Sequence, residues 1–99
     1  IISSLNSSGK IYIDQGAARA LNEGKSLLPA GIIKVEGSFE KGENILIVDE
    51  NEKSLARGLS SFTSSEINKI KGKQSKEIEN ILGYLSKSEI IHKDDMVKL

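Results

Sequence analysis

Three stretches of this 99-residue chain combine residue type and spacing in ways that could do chemistry: Gly24-Lys25-Ser26, the lysines Lys69, Lys71, Lys73 and Lys76, and His92-Lys93-Asp94-Asp95. A Gly-Lys-Ser triplet can cradle a phosphate when an earlier glycine stands five residues before the second and the triplet opens a helix, where N–H groups converge on the anion. Here it follows the end of a short helical pattern, and no glycine stands at the required spacing. A helix C-cap is the better reading. The four lysines could meet phosphates, but no aromatic residue interleaves with them to stack bases. Near a helix end they also suit the terminal carbonyls and a solvated face. His92 with Asp94 and Asp95 is a thin ligand set for a divalent ion, and a structural hydrogen bond is the simpler role. No second histidine and no cysteine is present to pair with a nucleophile. Ser60, Ser61, Ser64 and Ser65 read as strand end and cap. Glu50 and Glu52 lie in a charged turn where nothing would raise a carboxylate pKa. These residues make no catalytic site and no metal site.

The elements that would position these residues begin with Ile11-Tyr12-Ile13, a β-branched and aromatic strand. Asp14 can cap a helix on which Ala17, Ala18 and Leu21 form a narrow apolar stripe, ended by Gly24 as a left-handed residue. Pro29 forbids a second helix and makes Leu28 extended. Ile32 to Glu36 predicts a strand with Ile33 and Val35 on one face. Gly42 closes a turn at positive φ, and Ile45 to Val48, apolar on both faces, predicts the most buried strand. Asp49 to Lys53 forms a hairpin loop in which Asn51 is able to take a left-handed conformation. The returning strand runs from Leu55 to Phe62, and Gly58 marks a bulge or bend. Thr63-Ser64-Ser65-Glu66 is a capping box, opening a helix that buries Ile67 and Ile70 and stops at Gly72. A second short helix, capped by Ser75, carries Ile78, Ile81 and Leu82 and stops at Gly83. Glu89-Ile90-Ile91 predicts a closing strand. Leu21 and Ile47 are expected in the core.

Composition narrows the classes. Fourteen Lys and Arg balance fourteen Asp and Glu, giving a formal net charge of zero, whereas dedicated nucleic-acid binders carry a basic excess. Any such role must rest on a local patch. With no cysteine, disulfides and thiol chemistry are excluded. The longest apolar run is too short to span a bilayer. Ser-rich Ile1 to Gly9 reads as a lead-in to one domain at 10–99. The chain opens with Ile, as expected of a piece cut from a longer polypeptide.

Taken together, Gly9, Ile11 and Asp14, GAARAL at 16–21, GKSLLPAGI at 24–32, VEGSFEKGE at 35–43, ARGLSSF at 56–62, SKEIENILGY at 75–84 and IIHKDDMV at 90–97 resemble the C-terminal PUA domain of bacterial glutamate 5-kinases. Lys93 stands where that family commonly has arginine, a change that weakens bidentate contacts. The resemblance implies a mainly β fold with small helices, a PUA-type pseudo-barrel of mixed strands. It implies a cytoplasmic parent enzyme that uses ATP and Mg to phosphorylate L-glutamate in proline synthesis, with a kinase domain upstream of residue 1 and no cofactor in this fragment. It also implies partners: the kinase domain of the same chain, a homo-oligomer, or structured RNA, and no membrane. The RNA contacts it implies fall on Arg19, Lys25, Ser26, Leu27 and Leu28; Lys69, Lys71, Lys73 and Lys76, read from their spacing alone, are a secondary basic patch. Three roles remain open: an accessory domain acting on kinase assembly or regulation, an RNA-binding module, or a structural appendage.

Overall fold

A computed structural model of the chain describes residues 9–83 and 88–99. Residues 1–8 of the expected lead-in and Tyr84 of the SKEIENILGY motif lie outside the described residues. Gly9, the last lead-in residue, already belongs to the first strand.

Alternation builds the central strands. In β1 (Gly9–Ile13) Ile11 and Ile13 are fully buried, and in β3 (Asn44–Val48) Ile45 and Ile47 are. Each strand thus lays one apolar face on a common core. β2 (Ile32–Gly37), β4 (Ser54–Leu59) and β5 (Met96–Lys98) complete a sheet ordered β2-β1-β3-β4-β5. β1 and β3 run parallel and the other neighbouring pairs antiparallel, so the sheet is mixed. The helices α1 (Gln15–Asn22), α2 (Ser64–Ile70) and α3 (Ile78–Leu82) are short and contribute Leu21, Ile67, Ile70 and Ile78 to the core. The expected architecture, mainly β with small helices, is the one observed.

Local signals set the helix ends. Asp14 accepts from the Ala17 N–H at 2.8 Å. Thr63 and Glu66 exchange the two hydrogen bonds of a capping box at 3.1 and 2.9 Å. Gly24 (φ +86°), Gly42 (φ +85°), Gly72 (φ +76°) and Gly83 (φ +83°) are all left-handed.

Elsewhere tertiary packing overrides local pattern. The β1–β2 register shifts between Tyr12 and Ile13, where Ile13 faces Ile32 and Ile33 is the extra residue. That bulge turns Ile33 outward, 46% exposed, and buries Ile32 in its place. Pro29 does not simply break the helix; it opens one 3-10 turn, Pro29–Gly31, behind an extended Leu28. In the hairpin loop the left-handed residue is Glu52 (φ 63°), not Asn51. A turn closed by the Glu52 N–H on the Asp49 carbonyl at 3.0 Å puts the positive φ one position later. The bulge in β4 lies opposite Ile47/Val48 rather than at Gly58. Gly58 is required for another reason: a Cβ there would lie 2.7 Å from Ile91 Cγ2 and 2.9 Å from the Asp95 carbonyl. Gln74, not Ser75, precedes the 3-10 turn Ser75–Glu77 that leads into α3. Ile90 and Ile91 form no strand. Ile91 makes an isolated bridge to Leu27, and the closing ladder strand is β5.

Candidate functional site

α1 ends in a Schellman motif. Gly24 N–H donates to the Leu21 carbonyl and Lys25 N–H to the Ala20 carbonyl, both at 3.0 Å. The N–H groups that a phosphate loop would aim at an anion are spent on the helix itself, so Gly24-Lys25-Ser26 is a cap. Beyond it the chain runs extended against the last part of the molecule. Leu27 N–H donates to the Ile91 carbonyl at 3.0 Å, and Ile90 N–H returns to Leu27 at 2.8 Å. Ser26 Oγ accepts from the Lys93 N–H at 2.8 Å. This clamp leaves a groove of about 330 Å³ between α1 and the exit segment, bounded by Ala17, Ala20, Lys25, Ser26, Leu28 and Ala30.

The groove gathers Lys25, Ser26 and Leu28 but not all the residues expected there. Leu28 is 46% exposed at its rim, whereas Leu27 is 1% exposed and packs into the core. Arg19 is exposed in the last turn of α1, outside the groove lining. Lys25 reaches Glu23 at 3.3 Å, so part of its field is already neutralised. Gly31 approaches α1 so closely that a Cβ would stand 2.4 Å from Ala17 Cβ. Its lack of a side chain serves helix packing.

Lys69, Lys71, Lys73 and Lys76 are exposed on the end of α2 and the loop beyond it. Lys71 Nζ donates to Asn68 Oδ1 at 3.1 Å. The loop is tied to the exit segment, because Gly72 N–H donates to the Pro29 carbonyl at 2.8 Å. Nothing in either local sequence announces that contact. His92 Nδ1 accepts from the Asp94 N–H at 3.1 Å and caps the turn Lys93–Asp95. Among the described residues no group of three His, Cys, Asp or Glu could hold a metal ion.

A second polar constellation escaped the sequence reading. On the outward face of β1 and β2, the Tyr12 hydroxyl lies 3.3 Å from Glu36 Oε1 and 3.2 Å from Glu52 Oε1. One phenolic proton is shared between two carboxylates at lengths above the usual O–H···O range. Lys34 pairs with Glu36 at 2.9 Å, and the Lys34 and Lys10 ammoniums stand 5.0 and 5.8 Å from the Tyr12 ring centre. The Lys34 hydrogen bond holds the Glu36 carboxyl below the ordinary glutamate value, and Glu36 in turn raises Lys34. Burial, followed by Glu52 and Glu36, raises the Tyr12 hydroxyl. Each of these side chains keeps its neighbours occupied, which makes the group a clasp between strands.

The family model of the PUA domain matches residues 9–82, from the first residue of β1 to the last of α3. The chain belongs to the PUA domain family. Among curated relatives, the glutamate 5-kinase of Pelagibacter ubique (strain HTCC1062) is 60% identical over 99 residues, covering 100% of this chain and 27% of the relative. The glutamate 5-kinase of Thermoanaerobacter sp. (strain X514) is 50% identical over 93 residues, 93% of this chain and 25% of the relative. The PUA domain thus spans about a quarter of the length of these relatives. Among solved structures, a PUA domain from Aeropyrum pernix K1 superposes with a TM-score of 0.64 at 24% identity, over 86% of this chain and 41% of that one. An H/ACA RNP bound to a substrate RNA superposes with a TM-score of 0.58 at 27% identity, over 60% of this chain and 19% of that one.

Proposed function

We propose that this PUA domain is the C-terminal accessory domain of a cytoplasmic glutamate 5-kinase and is itself non-catalytic. ATP, Mg and glutamate are handled by a kinase domain preceding it, in the first step of proline synthesis. The observation that carries this reading is identity of 60% along the whole chain to the terminal quarter of a glutamate 5-kinase. A chimera tests it. The Pelagibacter ubique enzyme with its matching quarter replaced by this chain should make glutamyl phosphate, while the chain alone should make none. A folded chimera without activity, or activity from the chain alone, would overturn the assignment.

A second reading, contact with structured RNA, is favoured by one observation: the Gly72–Pro29 hydrogen bond ties the lysine-bearing loop to the exit segment, whose Leu28 and Ala30 line the groove with Lys25 and Ser26. With neutral net charge few phosphates can be neutralised, so the slope of log affinity against log salt is about −1 to −3. A fluorescence titration with structured RNA at several salt concentrations measures it. Affinity unchanged in a Lys25→Ala, Arg19→Ala double variant would move the contact to Lys69–Lys76. A slope near −10 would contradict a small site.

A further inference from the structure

The chain has one histidine, His92, and it sits between the two fastenings of the clamp. Ile91 before it accepts from the Leu27 N–H, and Lys93 after it donates to Ser26 Oγ. The turn Lys93–Asp95 presents three N–H groups, and each finds an acceptor. Lys93 N–H meets Ser26 Oγ at 2.8 Å, Asp94 N–H meets His92 Nδ1 at 3.1 Å, and Asp95 N–H meets the His92 carbonyl at 2.9 Å. A ring nitrogen that accepts from a backbone N–H carries no proton, so this imidazole is neutral with its hydrogen on Nε2. The same Nδ1 stands 3.5 Å from Asp94 Oδ2. One atom therefore faces two partners that need opposite protonation states. The backbone N–H needs its lone pair, and the carboxylate needs it protonated.

We propose that His92 is a proton-sensitive latch on the clamp. Neutral, it caps the turn and keeps Lys93 N–H directed at Ser26. Protonated at Nδ1, it can no longer accept, so Asp94 N–H loses its partner and the imidazolium turns to the Asp94 carboxylate. The exchange is unequal. The Asp94 side chain is 79% exposed, and water screens the new pair, whereas the lost bond held the first turn in place. Protonation therefore loosens the turn, and with it Ser26 and the groove wall that Ser26 forms. The charges around the ring are Lys93, Asp94 and Asp95 on the turn itself and Lys25, paired with Glu23, on the exit segment. From β4, Arg57 borders a hollow that Asp94 and Asp95 also line. Both signs thus surround the latch, and its action does not depend on what the groove binds.

NMR of the chain from about pH 8 to about pH 5, the range in which imidazoles change charge, tests the latch. The ring proton on Cε1 reports the charge of the one histidine directly. The Asp94 and Lys93 amide shifts should follow the same curve. Their exchange, corrected for its intrinsic pH dependence, should quicken about 5-fold on protonation, as for loss of a helix cap. His92→Asn keeps a side-chain acceptor at every pH, and in it both amides should hold still across this range. Amides that ignore the ring's curve would sink the proposal. So would movement that persists in His92→Asn, which would belong to the carboxylates, or a quickening shared equally by Ile47, which would be general loosening of the core.

Discussion

The two ends of the outward sheet face solve the same problem differently. At the β1–β2 end, Lys10, Tyr12, Lys34, Glu36 and Glu52 satisfy one another, and a bulge at Ile33 interrupts the edge strand. At the β4–β5 end, Leu59, Val97 and Leu99 stand exposed beside an uninterrupted short edge. Bulging and charge both blunt an edge; the first end combines a bulge with a set of mutually paired charges, and the second places Arg57 among Leu59, Val97 and Leu99. The lesson is that the two ends divide polar and apolar surface unequally: Val97 and Leu99, the most exposed large apolar residues among those described, both lie at the second end.

The largest effect should ignore the contrast. Ile47 lies fully buried under the middle of the sheet, and Ile47→Ala should cost about 2–5 kcal/mol by chemical denaturation. A loss under about 1 kcal/mol would mean that the core does not join the two ends. Next, Gly58→Ala should strike the apolar end alone. Its methyl group would meet Ile91 and the Asp95 carbonyl, at a cost of about 1–3 kcal/mol, and should loosen β5 more than β2 in amide exchange. Equal loosening of both edges would erase the distinction drawn here.

Glu52→Gly tests the other end and should carry the opposite sign. It relieves a left-handed non-glycine residue, worth about 1 kcal/mol, and gives up one long, exposed hydrogen bond from Tyr12. A small net gain in the unfolding midpoint is expected, and a loss would mean that the clasp outweighs the strain. The pH dependence is the finest probe. Glu36 titrates below its ordinary value when folded, so the stability it lends is complete above that ordinary value and fades as pH falls through the lowered one. Lys34 and Tyr12 titrate above theirs, so their share is complete below the ordinary values and fades as pH rises through the raised ones. Lys34→Met should flatten the acid limb of the stability–pH curve. An unchanged limb would show that Glu36 takes its stabilisation from elsewhere.

Features written within a few residues were legible in the sequence: Asp14 and the Thr63–Glu66 box, Gly24 past α1, the doubly apolar β3, the burial of Leu21 and Ile47. The misreadings share one cause. Ile33 has the right alternation to face inward, and a register shift against β1 decides otherwise. Ile90-Ile91 has strand composition, and its partner is Leu27, more than sixty residues earlier. Lys25, Ser26 and Leu28 could be marked as neighbours in sequence. The docking of Gly72 on Pro29, which ties the lysine loop to the same exit segment, is a long-range contact that no local pattern encodes. The Tyr12 clasp joins three strands or loops and left only an unremarkable tyrosine as its trace.

The parallel pairing of β1 with β3 also dictates an order of assembly. β3 and β4 are joined by a five-residue connection, Asp49 to Lys53, and can zip locally, whereas β1 must find Ile45–Val48 across the whole of α1 and β2. Closing the longer loop costs more chain entropy before any contact repays it. The β3–β4 hairpin is therefore the natural nucleus, β1 docks on it carrying β2, and β5 closes last on the far side of β4. Substitutions in the hairpin should slow refolding, while those at Met96–Lys98 should chiefly hasten unfolding. The strand that arrives last is also the first to leave, so each transient opening of the native domain bares the outer side of β4 before it disturbs the core.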